Sequence, residues 1–343
     1  MSENLAQPWI LARLSLAVSA LALALVSSFA AAKILAIPTD SAPDARALRA
    51  ERDAELAGAG LSLALFVELL GAFATVLVAH RLAGSVRGAM CAYGVLSSSP
   101  LGARALLASA VAAIASAMWL GVRAVDVRIA RGSLSRTLAK GALIVTALIV
   151  IDAASVGAFL LSIDLRQHAS CCSTGAAERA RIDPGALALT GPSIGAFASL
   201  LSVVALSLIA WLRRAPTLLR GVVASLASAL AVALSVLAAR DVVAPYSFAS
   251  PAHRCAYCLL RVDEASIAGP LLLVALALAA SLSAFTVGAA WVGRRSAARE
   301  ASLQAMRDAS GAWLVAWGVA LVAAWIPVVQ YRLQSGTFAL FGH

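Results

Sequence analysis

Charge is scarce in this sequence. Only 13% of its 343 residues are Asp, Glu, Lys or Arg, against roughly 25% in soluble globular domains, and 62% are hydrophobic. So few ionisable groups cannot cover a water-facing surface. That excludes a soluble globular protein and makes the bilayer the solvent for much of the chain. Aromatics are also few, at 6%. The net charge of +10 comes from short arginine clusters at the ends of apolar runs, not from basic runs interleaved with aromatics, which excludes a nucleic-acid surface built on stacking platforms. The four histidines, His80, His168, His253 and His343, all fall outside the interiors of the apolar runs, so a haem b bundle lacks its axial ligands. A Walker loop, a dinucleotide-binding glycine motif, Cys-x-x-Cys-His and His-Glu-x-x-His are all missing, which removes the chemistries those motifs carry.

What is present is a series of long apolar runs. A transmembrane helix needs about 20 such residues, and that length predicts an all-α, polytopic membrane bundle of roughly eight helices over 9–32, 59–80, 102–122, 141–162, 193–212, 219–239, 267–290 and 311–330. The first run has no cation before Arg13 and continues to about Ile37. That exceeds the apolar stretch of about 7–15 residues in a signal peptide and predicts a retained first helix. Alanine is abundant, and small residues let transmembrane helices approach closely. Residues 33–58, with Ala-Arg-Ala-Leu-Arg-Ala-Glu-Arg at 45–52, form the first connection and read as a charged amphipathic segment.

With eight helices there are seven connections. Cys91 falls in the second (81–101), Cys171-Cys172 in the fourth (163–192) and Cys255/Cys258 in the sixth (240–266). Helix parity therefore puts all five cysteines on one membrane face. The odd-numbered connections hold most of the 27 Lys and Arg, and the third, fifth and seventh are short and arginine-dense. The positive-inside rule makes those cytoplasmic. The cysteine loops are then extracytoplasmic in a multi-pass protein of the cell (inner) membrane, where disulfides persist. The four tyrosines fall on the cysteine face, and Trp119, Trp211, Trp291, Trp313 and Trp317 fall at the opposite one, as aromatic belts at the two interfaces would.

The cysteines carry the chemistry. In His253-Arg254-Cys255-Ala256-Tyr257-Cys258-Leu259-Leu260-Arg261 the Cys-x-x-Cys spacing lets two sulfurs meet in one turn, and neighbouring cations favour the reactive thiolate. Cys171 and Cys172 are adjacent. Adjacent cysteines close only a strained ring with each other, so they suit partners in other loops or a soft metal. His168-x-x-Cys171-Cys172 beside His253-x-Cys255-x-x-Cys258, with Cys91 on the same face, offers thiolate and imidazole ligands that favour Cu(I) or Zn. The spacing matches no standard zinc module.

Cys-x-x-Cys followed by an apolar pair and Arg261, at the mouth of a transmembrane helix, resembles the membrane thiol oxidoreductases of the disulfide-bond-formation and vitamin K epoxide reductase types. The resemblance covers about ten residues. It implies electron transfer between two cysteine pairs and a quinone, with Cys255 and Cys258 as the quinone-proximal pair, Arg261 at the cofactor, Cys171 and Cys172 as the shuttle pair, and an extracytoplasmic thiol protein as partner. The chain departs from those families in having about twice their helix count and in the adjacency of Cys171 and Cys172.

Two acids fall inside apolar runs, Glu68 in Phe66-Val67-Glu68-Leu69 and Asp152 in Val150-Ile151-Asp152-Ala153. A charge near the bilayer centre costs roughly 2.5–3.5 kcal/mol on insertion scales, so such acids either mark a proton or ion path or bridge helices as neutral hydrogen-bonded groups. His80 and Arg81 end the second helix and read as a snorkelling interfacial pair. The chain reads as one transmembrane domain over 1–343. A faint echo of Cys91-Ala92-Tyr93 in Cys255-Ala256-Tyr257, with Trp119–Arg123 set against Trp291–Arg295, suggests a 4+4 duplication over about 1–165 and 190–343. Three functions fit: extracytoplasmic thiol–disulfide exchange, soft-metal binding or transport, and a disulfide-stapled, non-catalytic subunit that meets other membrane subunits. A membrane-impermeant maleimide applied to whole cells tests the placement of the cysteine loops: labelling without lysis is expected, and labelling only after lysis reverses the orientation.

Overall fold

The stripe of small residues along each apolar run decides how the chain packs. In α1 (Pro8–Ala36) the buried positions are Ile10, Arg13, Ala17, Ala20, Ala24, Ser27 and Ala31. They recur every three or four residues, which places them on one face of a helix. Leu11, Val18, Val26 and Phe29 are exposed and form the face turned to lipid. The large side chains meet the acyl chains and the small ones face the neighbouring helices, as expected where lipid is as apolar as leucine and close backbone approach supplies the packing. The abundant alanine and serine of the sequence sit in these seams. The computed structural model describes residues 7–36, 45–86, 88–129, 134–163, 191–251, 253–262, 266–338 and 340.

Within the described residues the fold is all helical, with 8 helices long and apolar enough to cross a bilayer. After α1 come α2 (Ala45–Leu82), the short α3 (Ala92–Ser97), α4 (Gly102–Asp126), α5 (Ser135–Ser162), α6 (Gly191–Arg214) and α7 (Leu218–Ala238). A π-helical turn (Ala239–Val243) leads into the short α8 (Ala244–Ser247), and a 3-10 turn (Ala256–Leu260) precedes α9 (Ala268–Val292) and α10 (Arg299–Ser335). Two helices are longer than their apolar cores predict. The charged stretch at 45–58, expected in a connection, forms the first turns of α2, because nothing between Pro43 and Gly58 breaks a run of good helix formers. Likewise α10 starts at Arg299 instead of near 311, and its added turns carry Asp308 to within 2.9 Å of Arg128.

The helices form two rings of four. In the first, α1 packs on α2 and α5, and α4 packs on α2 and α5. In the second, α6 packs on α7 and α10, and α9 packs on α7 and α10. The order of neighbours is the same in both. The rings meet chiefly along α4 and α9, and two glycines set that crossing. A Cβ at Gly121 would lie 2.0 Å from the Phe285 carbonyl oxygen, and one at Gly288 would lie 2.1 Å from the Met118 carbonyl oxygen. Each glycine thus meets the carbonyl three residues before the other. Trp119 and Trp291, which the sequence echo sets side by side, differ in the structure. Trp119 is buried and donates to the Leu138 carbonyl, while Trp291 is 51% exposed.

The aromatic belt is accordingly smaller than expected. Trp313 and Trp317 are buried and both donate to the Ser228 hydroxyl, at 3.2 and 2.9 Å, since a buried indole N–H needs an acceptor. Only Trp211 and Trp291 of the five are exposed. A methyl group at Gly121 or Gly288 would have to displace backbone. Gly121→Ala and Gly288→Ala are therefore expected to cost at least the roughly 1–3 kcal/mol of core overpacking and to lower the thermal midpoint in detergent. Gly157→Ala, with open space around it, should be neutral or slightly stabilising. Equal midpoints for all three variants would refute the tight crossing.

Candidate functional site

Two short elements meet on the cysteine face, at the N-terminal ends of α4 and α9. The first is α3, which opens at Cys91 in extended backbone (φ −155°, ψ 177°). Its end is held against α4, because a Cβ at Gly102 would lie 2.1 Å from the Leu96 carbonyl oxygen. The second is the 3-10 turn that opens at Cys255, also extended (φ −137°, ψ 108°). It is held against α9 in the same way, with Gly269 against the Leu259 carbonyl oxygen. Within that turn the Cys258 N–H donates to the Cys255 carbonyl at 3.2 Å. Side chains at i and i+3 nearly eclipse in 3-10 geometry, so both sulfurs point the same way.

The result is a cluster of three buried cysteines. Cys91, Cys255 and Cys258 are 1%, 4% and 1% exposed, and their sulfurs all lie within 4.8 Å of one another. The Cys91 and Cys255 sulfurs are 3.6 Å apart. Two chemistries fit these separations. A disulfide of about 2.05 Å needs only a small side-chain shift, and sulfurs around one tetrahedral zinc at about 2.3 Å would stand roughly 3.8 Å apart.

Aromatic rings close the site. Phe248 and Tyr257 pack against the sulfurs, Tyr93 lies 6.5 Å from Tyr257 between ring centroids, and the His253 ring stacks on Phe248 at 4.0 Å. Burial pushes the Tyr257 hydroxyl above its ordinary pKa, with the charges of Cys255, Cys91 and Tyr93 adding to the effect. His80 lies within electrostatic reach of both Cys91 and Arg261, and its buried Nδ1 has no hydrogen-bond partner. Arg81 turns outward over the Trp9 ring at 5.2 Å. The expected snorkelling pair is thus split: Arg81 behaves so, while His80 belongs to the surroundings of the cysteines. The Arg261 backbone N–H closes the 3-10 turn on the Cys258 carbonyl at 2.9 Å, and Arg254 bends back toward the Pro251 carbonyl. Cys171, Cys172 and His168 lie outside the described residues.

Glu68 and Asp152 stand apart from the cysteines, in the core of the first ring. Both are buried, at 1% and 0% exposure, together with Arg13 at 1%. The Arg13 Nη2 lies 2.8 Å from Asp152 Oδ2, the Arg13 Nε donates to Thr75 at 2.9 Å, and Ser109 donates to the other Asp152 oxygen. The Glu68 carboxyl faces Asp152. The sequence reading missed Arg13, although its signal was present: a lone cation inside an apolar run, on the small-residue stripe of α1. The corresponding core of the second ring is neutral. There Ser283 donates to Ser228 at 2.9 Å beneath Trp313 and Trp317.

An apolar cavity of about 460 Å³ opens in the second ring, with Trp317, Tyr246, Val243 and Leu272 in its wall. Arg261 is not part of that wall. Compared with known proteins, the chain matches no protein-family model, no curated protein and no solved structure.

Mild oxidation in the membrane should join Cys91 to Cys255 and so link a peptide from the α2–α4 connection to one from the α8–α9 connection. Cys91→Ser should abolish that linked peptide. Recovery of only a Cys255–Cys258 linkage from the wild type would contradict the 3.6 Å contact.

Proposed function

We propose that this membrane protein carries out thiol–disulfide exchange at a three-cysteine site. The observation that carries the reading is the placement of Cys91, from one ring, against the Cys255–Cys258 pair of the other, with Cys91 and Cys255 in sulfur–sulfur contact. A Cys-x-x-Cys pair needs a third sulfur to pass its disulfide on. If Cys255 and Cys258 are joined, a Cys91 thiolate attacks Cys255. The Cys91–Cys255 bond forms as the Cys255–Cys258 bond breaks, and Cys258 leaves as the thiolate. The proton lost at Cys91 is balanced by the one Cys258 takes up, and no electrons leave the triad. Net oxidation or reduction then needs a second dithiol or disulfide, which the extracytoplasmic placement of the loops would supply as a thiol protein. Cys171 and Cys172, on the same face by helix parity, are the nearest such pair in the sequence. The cationic Arg261, whose charge reaches His80 beside Cys91, favours the thiolate form that attacks. Arg261, which the family resemblance assigns to a quinone, belongs to the cysteine turn and not to the apolar cavity, so the reading rests on the sulfurs.

A second reading is favoured by the same separations. Three cysteine sulfurs within 4.8 Å suit one soft ion, Cu(I) or Zn(II), with the thiolates released from their protons on binding.

Differential alkylation and mass spectrometry of the full-length protein, equilibrated in glutathione buffers, separates the two. Exchange predicts that the wild type interconverts Cys255–Cys258 and Cys91–Cys255 disulfides and that Cys258→Ser accumulates the latter. Stoichiometric copper or zinc that blocks alkylation of all three cysteines, and that is lost in Cys91→Ser, would instead establish the metal reading. Cysteines that neither exchange nor hold metal would leave only a structural staple.

A further inference from the structure

The core of the first ring contains one cation and two acids. Arg13 comes from α1, Glu68 from α2 and Asp152 from α5, with Thr75 and Ser109 hydrogen-bonded among them. All three charged residues are at least 99% buried. Asp152 lies ten residues from the end of α5, about 15 Å along its axis, which is half the thickness of a bilayer core of about 30 Å. Water cannot screen charge at that depth, so the charges have to balance locally. The guanidinium balances one carboxylate, and Arg13 is committed to Asp152 at 2.8 Å. The Glu68 carboxyl lies in hydrogen-bonding range of the Asp152 carboxyl, and two carboxyl groups make such a bond only with a proton between them. A buried Glu68 oxygen, Oε1, has no partner, and neither does the buried Arg13 Nη1.

From this geometry we infer that Arg13, Asp152 and Glu68 form an intramembrane proton-binding site in which the two carboxyl groups share one exchangeable proton. The site is independent of the thiol reading. With the proton bound the cluster is neutral. When the proton leaves, one negative charge remains, and the charged side chains acting on Glu68 are Asp152 and Arg13. Among the described residues no buried cation other than Arg13 is there to offset it, so release has to be accompanied by water entry or by movement of a helix. The structure offers an approach from the arginine-rich face. A cavity of about 730 Å³, lined by Ser27, Glu55, Leu61, Arg123, Asp126 and Ala142 among others, reaches into the ring from that end. Leu65 and Ile149, both buried, close the remaining gap and sit one turn below Glu68 and Asp152. On the other side the apolar cluster of Ile10, Val78, Ala105, Val156 and Phe159 separates the site from the cysteines. A proton-coupled conformational step, opening toward the arginine-rich face, is the function such a site fits. The second ring, with the same helix order, has serine and tryptophan in the equivalent core and, among the described residues, no buried charge to couple.

Infrared spectroscopy of the full-length protein in lipid nanodiscs tests this directly. At neutral pH the wild type should show the C=O stretch of one protonated carboxyl group that shifts in D₂O, and Glu68→Gln should lose it while still folding, because glutamine keeps the shape and neutrality of the protonated acid. In parallel, the thermal midpoint of the wild type should fall as the pH is raised and the proton is removed, and that of Glu68→Gln should lose this dependence. Asp152→Asn, should Glu68→Gln fail to fold, must likewise remove the band. Absence of the band from the wild type, or its persistence in both variants, overturns the inference. So does a midpoint that responds to added sodium ion, against choline at equal ionic strength, and not to pH: the site would then hold a metal cation instead of a proton.

Discussion

The close crossing of α4 and α9 is the contact on which the rest of the molecule depends. Gly121 and Gly288 each meet a backbone carbonyl of the other helix at a distance that no side chain could occupy. Across that crossing, near the C-terminal ends of both helices, the two rings of four helices face each other; the short elements that precede α4 and α9 meet at the opposite ends of the same two helices, about 28 Å away along their axes. Gly102 and Gly269 then hold those elements against their helices, again by backbone contact with Leu96 and Leu259. Cys91 and Cys255 open the two elements, so their sulfurs meet. In a bilayer no hydrophobic force drives helix to helix, and van der Waals contact through small residues takes its place. Here one helix pair carries both features: its C-terminal ends make the glycine crossing, and the cysteine elements precede its N-terminal ends.

Much of this could be read from the sequence. Eight apolar runs of bilayer length set the fold class, and helix parity alone put Cys91 and Cys255/Cys258 on one face. The ends of α2 and α10 were not legible as helix, because apolar length marks where a helix lies in lipid and not where it stops; residues 45–58 and 299–310 are helical through backbone propensity without being lipophilic. The 3.6 Å contact of Cys91 with Cys255 was not legible either. It is a tertiary contact between residues 164 positions apart, and nothing in either local stretch signals the other. Trp119, Trp313 and Trp317 show the same limit. Their positions near helix ends suggested an interfacial belt, while their indole N–H groups are in fact satisfied inside the bundle by Leu138 and Ser228.

The two rings share a helix order and differ in what they bury. Among the described residues the second has a neutral core of serine hydroxyls and indoles, with no buried acid or cation in it. The first has an arginine and two acids, and removing one member of a buried ion pair costs about 3–5 kcal/mol through the charge left behind. A purely structural core has no need of that liability, as the second ring demonstrates with the same architecture. The cysteine site spans both rings and the charged core belongs to one, so a movement of the first ring relative to the second would be felt at the Cys91–Cys255 contact.

The unity of the three-cysteine site is tested most directly by the midpoint potential of the Cys255–Cys258 couple, measured by redox titration of the full-length protein in glutathione buffers, in the wild type and in Cys91→Ser. If Cys91 belongs to the site, its removal withdraws a competing disulfide and a neighbouring sulfur, and the midpoint shifts. Identical midpoints in the two proteins would mean that Cys91 is a bystander and that the three sulfurs do not act as one site.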